Sequence, residues 1–165
     1  MPHLLDKKNV DMLTGQGVFS DVELRSRHDI MLENYCKTVI IEANTMIDMA
    51  KTEIIPAVCR YTADTASNAA VKKSVSPTVA CKYEMSVVEK LSALTDSMSE
   101  AAEALALSLK EANEVSDIAE KSVLVRDRVI TAMSELRRAA DEAETMIDKS
   151  YYPYPTYADL LFGVK

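Results

Sequence analysis

The chain has 165 residues, of which 48% are hydrophobic, so it is long enough and apolar enough to fold around a core. Its formal net charge of −7 argues against a nucleic-acid partner, because binding to phosphates needs a basic surface. It has no apolar run of about 18 residues and no signal-peptide pattern at its start, so we expect neither a membrane span nor secretion.

The scarcity of helix-breaking residues predicts an all-α fold. Only three glycines occur, Gly15, Gly17 and Gly163, whereas a β-rich fold needs a turn roughly every 8–12 residues. We expect a long kinked central helix and an antiparallel helical hairpin, which together form a three-helix bundle. A short N-terminal helix and an aromatic, proline-rich C-terminal tail complete the predicted architecture.

The first predicted element is a short amphipathic helix at residues 4–13, which the glycines of residues 14–17 bring to an end. Ser20 and Glu23 then fit a capping box, in which each side chain accepts a hydrogen bond from the amide of the other residue. This motif predicts the start of a long helix.

The stretch Ile30–Val58 predicts the central helix, with Glu33 and Lys37 as an i,i+4 ion pair. Pro56 lacks an N–H, so we expect a kink there. The helix is expected to resume through 60–73, where the weak helix formers at 62–68 could loosen it. One face of this helix is apolar at steps of three and four: Met31, Tyr35, Val39, Ala43, Met46, Ala50, Ile54 and Ala57. A second apolar set predicts cover on another side: Ile40, Ile41, Ile47 and Ile55.

Two further helices follow an interior break at residues 74–78. Residues 113–116 are expected to cap the third helix, which ends near Lys149 because Pro153 and Pro155 cannot continue it. The second helix is apolar on one face at Tyr83, Val87, Leu91, Leu94, Met98, Ala101, Leu105, Leu109 and Ala112. The third is apolar on one face at Ile118, Val125, Val129, Ala132, Leu136, Ala140, Ala143 and Ile147.

These boundaries divide the chain into three predicted parts. Residues 1–19 form a short helix and glycine turn, residues 20–150 the three-helix bundle, and residues 151–165 an aromatic docking tail. The tail holds more than half of the tyrosines and phenylalanines, and a segment this aromatic is expected to cover a surface, either its own or that of a partner.

We predict no catalytic, cofactor-binding or metal-binding residue, and no enzyme activity in this chain alone. The sequence lacks a glycine-rich phosphate loop, and His3 and His28 do not form the paired Glu-x-x-His motifs of a di-iron bundle. Cys36 and Cys59 would lie roughly 35 Å apart on one helix, too far for a disulfide. Buried, reduced cysteines, with Cys81 as the third, favour a cytoplasmic protein.

Three polar features have two interpretations each. Glu42 is either a ligand-facing carboxylate or, as we favour, one partner of a structural ion pair with Arg126 or Arg137. The arginines at 126–128 and 137–138 either bind an anion or, more simply, pair with nearby acids. The methionines are expected to fill the core rather than form a binding groove: Met31, Met46, Met49, Met98, Met133 and Met146.

Three segments carry a resemblance to a known family. They are ELRSRHDIMLENYCKTVIIEANTMIDMAKTEIIPAV at 23–58, RDRVITAMSELRRAADEAE at 126–144 and YYPYPTYADLLF at 151–162. Together they resemble the C-terminal region of type III glutamine synthetases, whose long helix carries the Glu-Ala-x-Thr-Met-x-Asp-Met-Ala core. The terminal signature of that family usually has tryptophan at the position of Tyr152, phenylalanine at Tyr154 and glycine at Ala158.

The resemblance implies a parent enzyme that ligates ammonia to glutamate with ATP and Mg²⁺ and assembles as two rings. The catalytic motifs of that family lie upstream, so no catalytic residue is carried over to this chain. The chain then corresponds to a C-terminal helical domain, with Met1 as an introduced start, that contacts the catalytic domain of the same chain and neighbouring subunits. The alternative is a standalone helical-bundle interaction module. An open reading frame that continues upstream of Met1 favours the first interpretation, and a stop codon there favours the second.

Overall fold

The computed structural model describes residues 3–155 and 157–163, and in this part of the chain it contains helices and no strands. Thr156, Val164 and Lys165 of the predicted tail lie outside the described residues. The helices are α1 (Lys7–Gly15), α2 (Asp21–Met49), α3 (Ile55–Val75), α4 (Lys82–Glu114), α5 (Ile118–Leu124), α6 (Ile130–Glu144) and α7 (Tyr157–Phe162). Two π-helical turns join successive helices, π1 at Ala50–Ile54 and π2 at Val125–Val129. The predicted all-α class with a long helix is confirmed.

The start of α2 is fixed by the predicted capping box. The Ser20 amide donates to Glu23 Oε2 at 2.8 Å, and the Glu23 amide donates to Ser20 Oγ at 3.3 Å. These two bonds satisfy amide groups that have no partner within the helix. Just before them, Gly17 adopts a φ of 68°, a left-handed conformation that suits glycine after a helix end.

The central helical segment runs from α2 through π1 into α3 without an interruption. The π-helical turn stands immediately before Pro56, where the Ile55 amide donates to the Ala50 carbonyl five residues earlier. Such a widened turn lets a helix accommodate a proline ring and is a recognised cause of kinks. The predicted resumption of the helix through 60–73 is confirmed, because α3 continues through the weak helix formers at 62–68. The Thr62 and Thr65 hydroxyls donate to carbonyls four residues earlier, inside the helix.

The chain forms two compact units. The first comprises Met1–Ala43 and Leu107–Thr131, and the second comprises Asn44–Ala106 and Ala132–Lys165. The core of the first unit contains Leu24, Cys36, Val39, Ala43, Leu109, Ala112, Val125 and Val129. The largest core side chains of the second unit are Ile54, Val58, Val87, Leu91, Met98, Leu105, Leu136 and Ile147.

In the first unit, a tight turn joins α4 to α5. Asp117 is the N-cap of α5, and its carboxylate accepts from the Glu120 amide at 2.8 Å. The cap therefore lies one residue beyond the predicted range 113–116. Arg128 pairs with Glu111 across the turn, as expected for antiparallel neighbours.

In the second unit, the predicted break at 74–78 is present between α3 and α4. Lys72 pairs with Glu84 across it, and the buried Cys81 thiol lies 3.8 Å from the Ala69 carbonyl. The third helical segment ends at Glu144, a few residues before the expected end near Lys149. None of the helices in the described part is both long enough and apolar enough to cross a membrane.

Candidate functional site

Within residues 3–155 and 157–163, no three His, Cys, Asp or Glu side chains converge as the ligands of a metal ion would. The histidines instead lie beside single carboxylates. His3 Nδ1 is 2.9 Å from Asp6, and His28 Nδ1 is 3.1 Å from Asp29. The absence of catalytic and metal residues from this chain stays a prediction.

Glu42 lies on the exposed surface of α2, which corrects the prediction of a buried carboxylate. Its neighbour Ile41 is itself 66% exposed, so this side of the helix faces solvent although the sequence there is apolar. A solvated carboxylate needs no arginine partner. Arg126 and Arg137 form ion pairs with Asp127 and Asp141 instead.

The arginine runs pair with nearby acids, as the simpler interpretation predicts. Arg126 contacts Asp127 with two nitrogens at 2.6 and 2.9 Å, and Arg138 contacts Glu135 at 2.8 Å. The bond from Arg126 lowers the pKa of the Asp127 carboxyl, because it stabilises the charged form. These pairs are exposed, so each adds little to stability.

The cysteines and methionines only partly fill the core. Cys36 and Cys81 are buried, and burial raises the pKa of the Cys36 thiol because it disfavours the thiolate. Cys59 is exposed, which corrects the prediction of three buried cysteines. Among the methionines predicted for the core, Met98 is fully buried, whereas Met31 is 43% exposed.

The aromatic tail folds back on α3 through Tyr151. Its hydroxyl donates to Asp64 Oδ2 at 2.6 Å, and its ring meets Tyr61 edge to face with centroids 5.2 Å apart. Lys149 pairs with Asp159 of α7. A separate group of side chains at the end of the tail stays in solvent: Leu160, Leu161 and Phe162 are 69%, 71% and 80% exposed. We call these three residues the terminal apolar cluster.

The tail also closes over a cavity of about 270 Å³ within the second unit. Burial, with a hydrogen bond to Glu53 as a smaller cause, raises the pKa of the Tyr154 hydroxyl at this cavity. The cavity walls come from the central helix, from α6 and from the tail itself: Met46, Met49, Ala50, Ile54, Leu136, Arg137, Ala140, Asp141, Glu144, Tyr152, Tyr154, Pro155 and Leu160.

The contact between Tyr151 and Asp64 gives the tail a pH dependence. The hydrogen bond to Asp64 is the main reason why the pKa of Tyr151 lies above its ordinary value. The pKa of Tyr151 is therefore higher in the folded state than its unfolded value of about 10. The contact with Asp64 contributes its full stabilisation at pH values below that unfolded pKa. The stabilisation is lost as the pH rises through the folded value.

We therefore expect the Tyr151 ring resonances to titrate at lower pH when Asp64 is changed to asparagine. The asparagine amide would keep a hydrogen-bond acceptor but remove the charge that opposes the phenolate. An NMR titration of the ring protons in both proteins measures the difference. An equal or higher titration point in Asp64→Asn would contradict the assigned role of the carboxylate.

A second cavity, of about 530 Å³, lies within the first unit between α2 and α5. We call it the α2–α5 groove. Its lining combines apolar side chains with four polar ones: Leu5, His28, Met31, Leu32, Tyr35, Ala119, Ser122, Val123 and Arg126. Apolar spacing places Met31 and Tyr35 on the core-facing side of the helix, and it does not predict that they line a cavity.

Comparison with known proteins points to one family. The family model of the glutamine synthetase C-terminal domain matches residues 1–74. The chain is 32% identical to a glutamine synthetase of Butyrivibrio fibrisolvens, over 100% of this chain and 24% of that protein. It is 25% identical to a type-3 glutamine synthetase of Dictyostelium discoideum, over 98% of this chain and 23% of that protein. It is also 25% identical to a glutamine synthetase of Bacteroides fragilis, over 97% of this chain and 22% of that protein. The chain thus spans about a quarter of the length of these curated relatives.

Proposed function

We propose that this chain is a non-catalytic helical domain of a type III glutamine synthetase, because the family model of the glutamine synthetase C-terminal domain matches its residues 1–74. The observation that carries the proposal is the similarity of the whole chain to such enzymes, of which it spans about a quarter. The domain has a structural role, in which it braces the catalytic part of the enzyme and contributes to assembly.

Two features of the described residues support a structural role. The charged side chains singled out by the sequence pair with each other on the surface or stand in solvent, rather than converge in a buried cleft. Perturbed, convergent and buried titratable groups are what an active site needs. In this proposal ATP and Mg²⁺ bind elsewhere in the enzyme, where ammonia is ligated to glutamate in the cytoplasm.

The surface of the chain supports contacts with other parts of such an enzyme. Ile41 and the terminal apolar cluster expose large apolar side chains, and clustered apolar exposure commonly marks an interaction surface. We propose that the catalytic domain of the same chain and neighbouring subunits of a two-ring homo-oligomer cover these side chains.

Calorimetric titration of the 165-residue chain with Mg²⁺-ATP and with glutamate tests the non-catalytic assignment. We expect no heat of binding for either ligand, because no phosphate loop is present and no metal-ligand group occurs in the described residues. A nucleotide-binding enzyme titrated under the same conditions is the positive control. Micromolar binding of ATP by the chain would overturn the proposal.

A further inference from the structure

The α2–α5 groove is formed by two helical stripes with the same spacing. His28, Met31, Leu32 and Tyr35 follow one face of α2, and Ala119, Ser122, Val123 and Arg126 follow one face of α5 and π2. In each set, the later residues lie three, four and seven positions after the first one. This spacing places them on one face of a helix, and such a face normally packs against a neighbouring element. These two stripes line an open cavity instead.

The groove is a concavity open to solvent, since Met31 and Val123 on its walls are 43% and 48% exposed. The groove has a volume of about 530 Å³, which falls in the range of roughly 300–1,000 Å³ typical of sites for small molecules. The π-helical turn π2 lies at the groove and carries Arg126, and such turns often occur at functional sites.

The polar side chains of the groove give it a chemical preference. Arg126 uses Nε and one terminal nitrogen to bind Asp127, and a guanidinium has five N–H donors, so further donors remain for a ligand. Tyr35 lines the same groove as Arg126 and carries a hydroxyl that can donate a second hydrogen bond. Arginine and a phenol together are suited to bind a carboxylate.

We propose that the α2–α5 groove binds a small amphipathic carboxylate. The apolar body of the ligand lies against Met31, Leu32 and Val123, and its carboxylate accepts hydrogen bonds from Arg126 and Tyr35. This site is separate from the structural role proposed above and does not depend on it.

Octanoate is a suitable probe, with octan-1-ol as its uncharged counterpart. The chain carries its own reporters when its methionine methyl groups are labelled with ¹³C, because Met31 lines the groove and Met98 is fully buried in the second unit. We expect octanoate to shift the Met31 methyl signal at millimolar concentration and to leave the Met98 signal unchanged. We expect octan-1-ol to bind about tenfold more weakly, because it lacks the charge that Arg126 recognises.

Three variants separate the groove from the rest of the surface. Arg126→Gln should weaken octanoate binding about tenfold, and Tyr35→Phe should weaken it severalfold. Ala119→Phe should abolish the shift by filling the groove, and a far-ultraviolet circular dichroism spectrum and urea midpoint equal to those of the parent chain show that this variant is folded. Arg138→Gln is the matched control, since Arg138 is also an exposed arginine paired with an acid, and it should bind octanoate as the parent chain does.

The outcomes that would overturn the proposal are distinct. An unchanged Met31 signal at saturating probe would mean that the groove does not bind this class of ligand. Equal binding of octan-1-ol and octanoate, or an Arg126→Gln variant with unchanged affinity, would show that the groove has no carboxylate site.

Discussion

Replacing Leu109 by alanine is expected to lower the free energy of unfolding by about 3 kcal/mol, the middle of the range for a buried leucine truncated to alanine. Leu109 is 5% exposed in the core of the first unit, so its removal loses apolar burial and leaves a cavity. Urea denaturation followed by far-ultraviolet circular dichroism measures the change.

Leu107 provides a matched control for this prediction. It lies two residues earlier on the same helix and in the same unit, but its side chain is 59% exposed. Leu107→Ala should change the free energy of unfolding by no more than about 0.5 kcal/mol, as is usual for surface substitutions. Equal destabilisation by the two substitutions would mean that the helix face is assigned incorrectly.

The contrast between Leu109 and Leu107 also illustrates what the sequence predicts well. Steps of three and four assign Leu109 and not Leu107 to the buried face of α4, and burial agrees with that assignment. The capping box at Ser20 and Glu23 is equally local, because all of its partners lie within four residues. Features set by neighbouring residues were therefore predictable.

The π-helical turns were not predictable from apolar spacing. Pro56 indicates a distortion near residue 52, but it does not specify that the chain absorbs it as a five-residue π turn. No proline lies near π2, so the sequence around Val125 gives no sign of it. A π turn depends on a shift of backbone hydrogen bonds, and side-chain hydrophobicity does not record that shift.

Glu42 and Met31 show the limit of periodicity at a candidate site. Periodicity tells which side of a helix is apolar, but it does not tell what covers that side. The apolar context of Glu42 predicts burial, yet this surface of α2 is open. Met31 has the spacing of the core-facing residues of α2, but its side chain lines the α2–α5 groove. The facing residues of α5 line the same groove and do not pack closely against it.

The second large effect is expected at the aromatic tail. Tyr151→Ala removes both the edge-to-face contact with Tyr61 and the hydrogen bond to Asp64. We expect amide hydrogen exchange in residues 149–155 to accelerate on the order of tenfold, because two independent contacts that hold the segment are lost together. Exchange measured by mass spectrometry on peptides of this segment reports the change.

Two further variants separate the contribution of the Tyr151 hydroxyl from that of its ring and control for a general effect of substitution. Tyr151→Phe keeps the ring and loses only the hydroxyl, so exchange should increase less than in Tyr151→Ala. Val75→Ala is the control, since Val75 is 82% exposed in the same unit and its loss should leave the tail unchanged. Unchanged exchange in Tyr151→Ala would show that other contacts hold the tail in place.

The same anchor is expected to position the terminal apolar cluster for association. Serine at Leu160, Leu161 and Phe162 removes large apolar side chains that are at least 69% exposed, so this triple variant should be more soluble or less associated than the parent chain in size-exclusion chromatography with light scattering. Serine at Val71, Val75 and Val79 is the control, because these side chains are also exposed but lie outside the tail.

Tyr151→Ala should reproduce part of the effect of the triple variant, since a detached tail no longer presents the cluster in one position. If the triple variant matches the parent chain in both mass and solubility, the cluster is not the docking element.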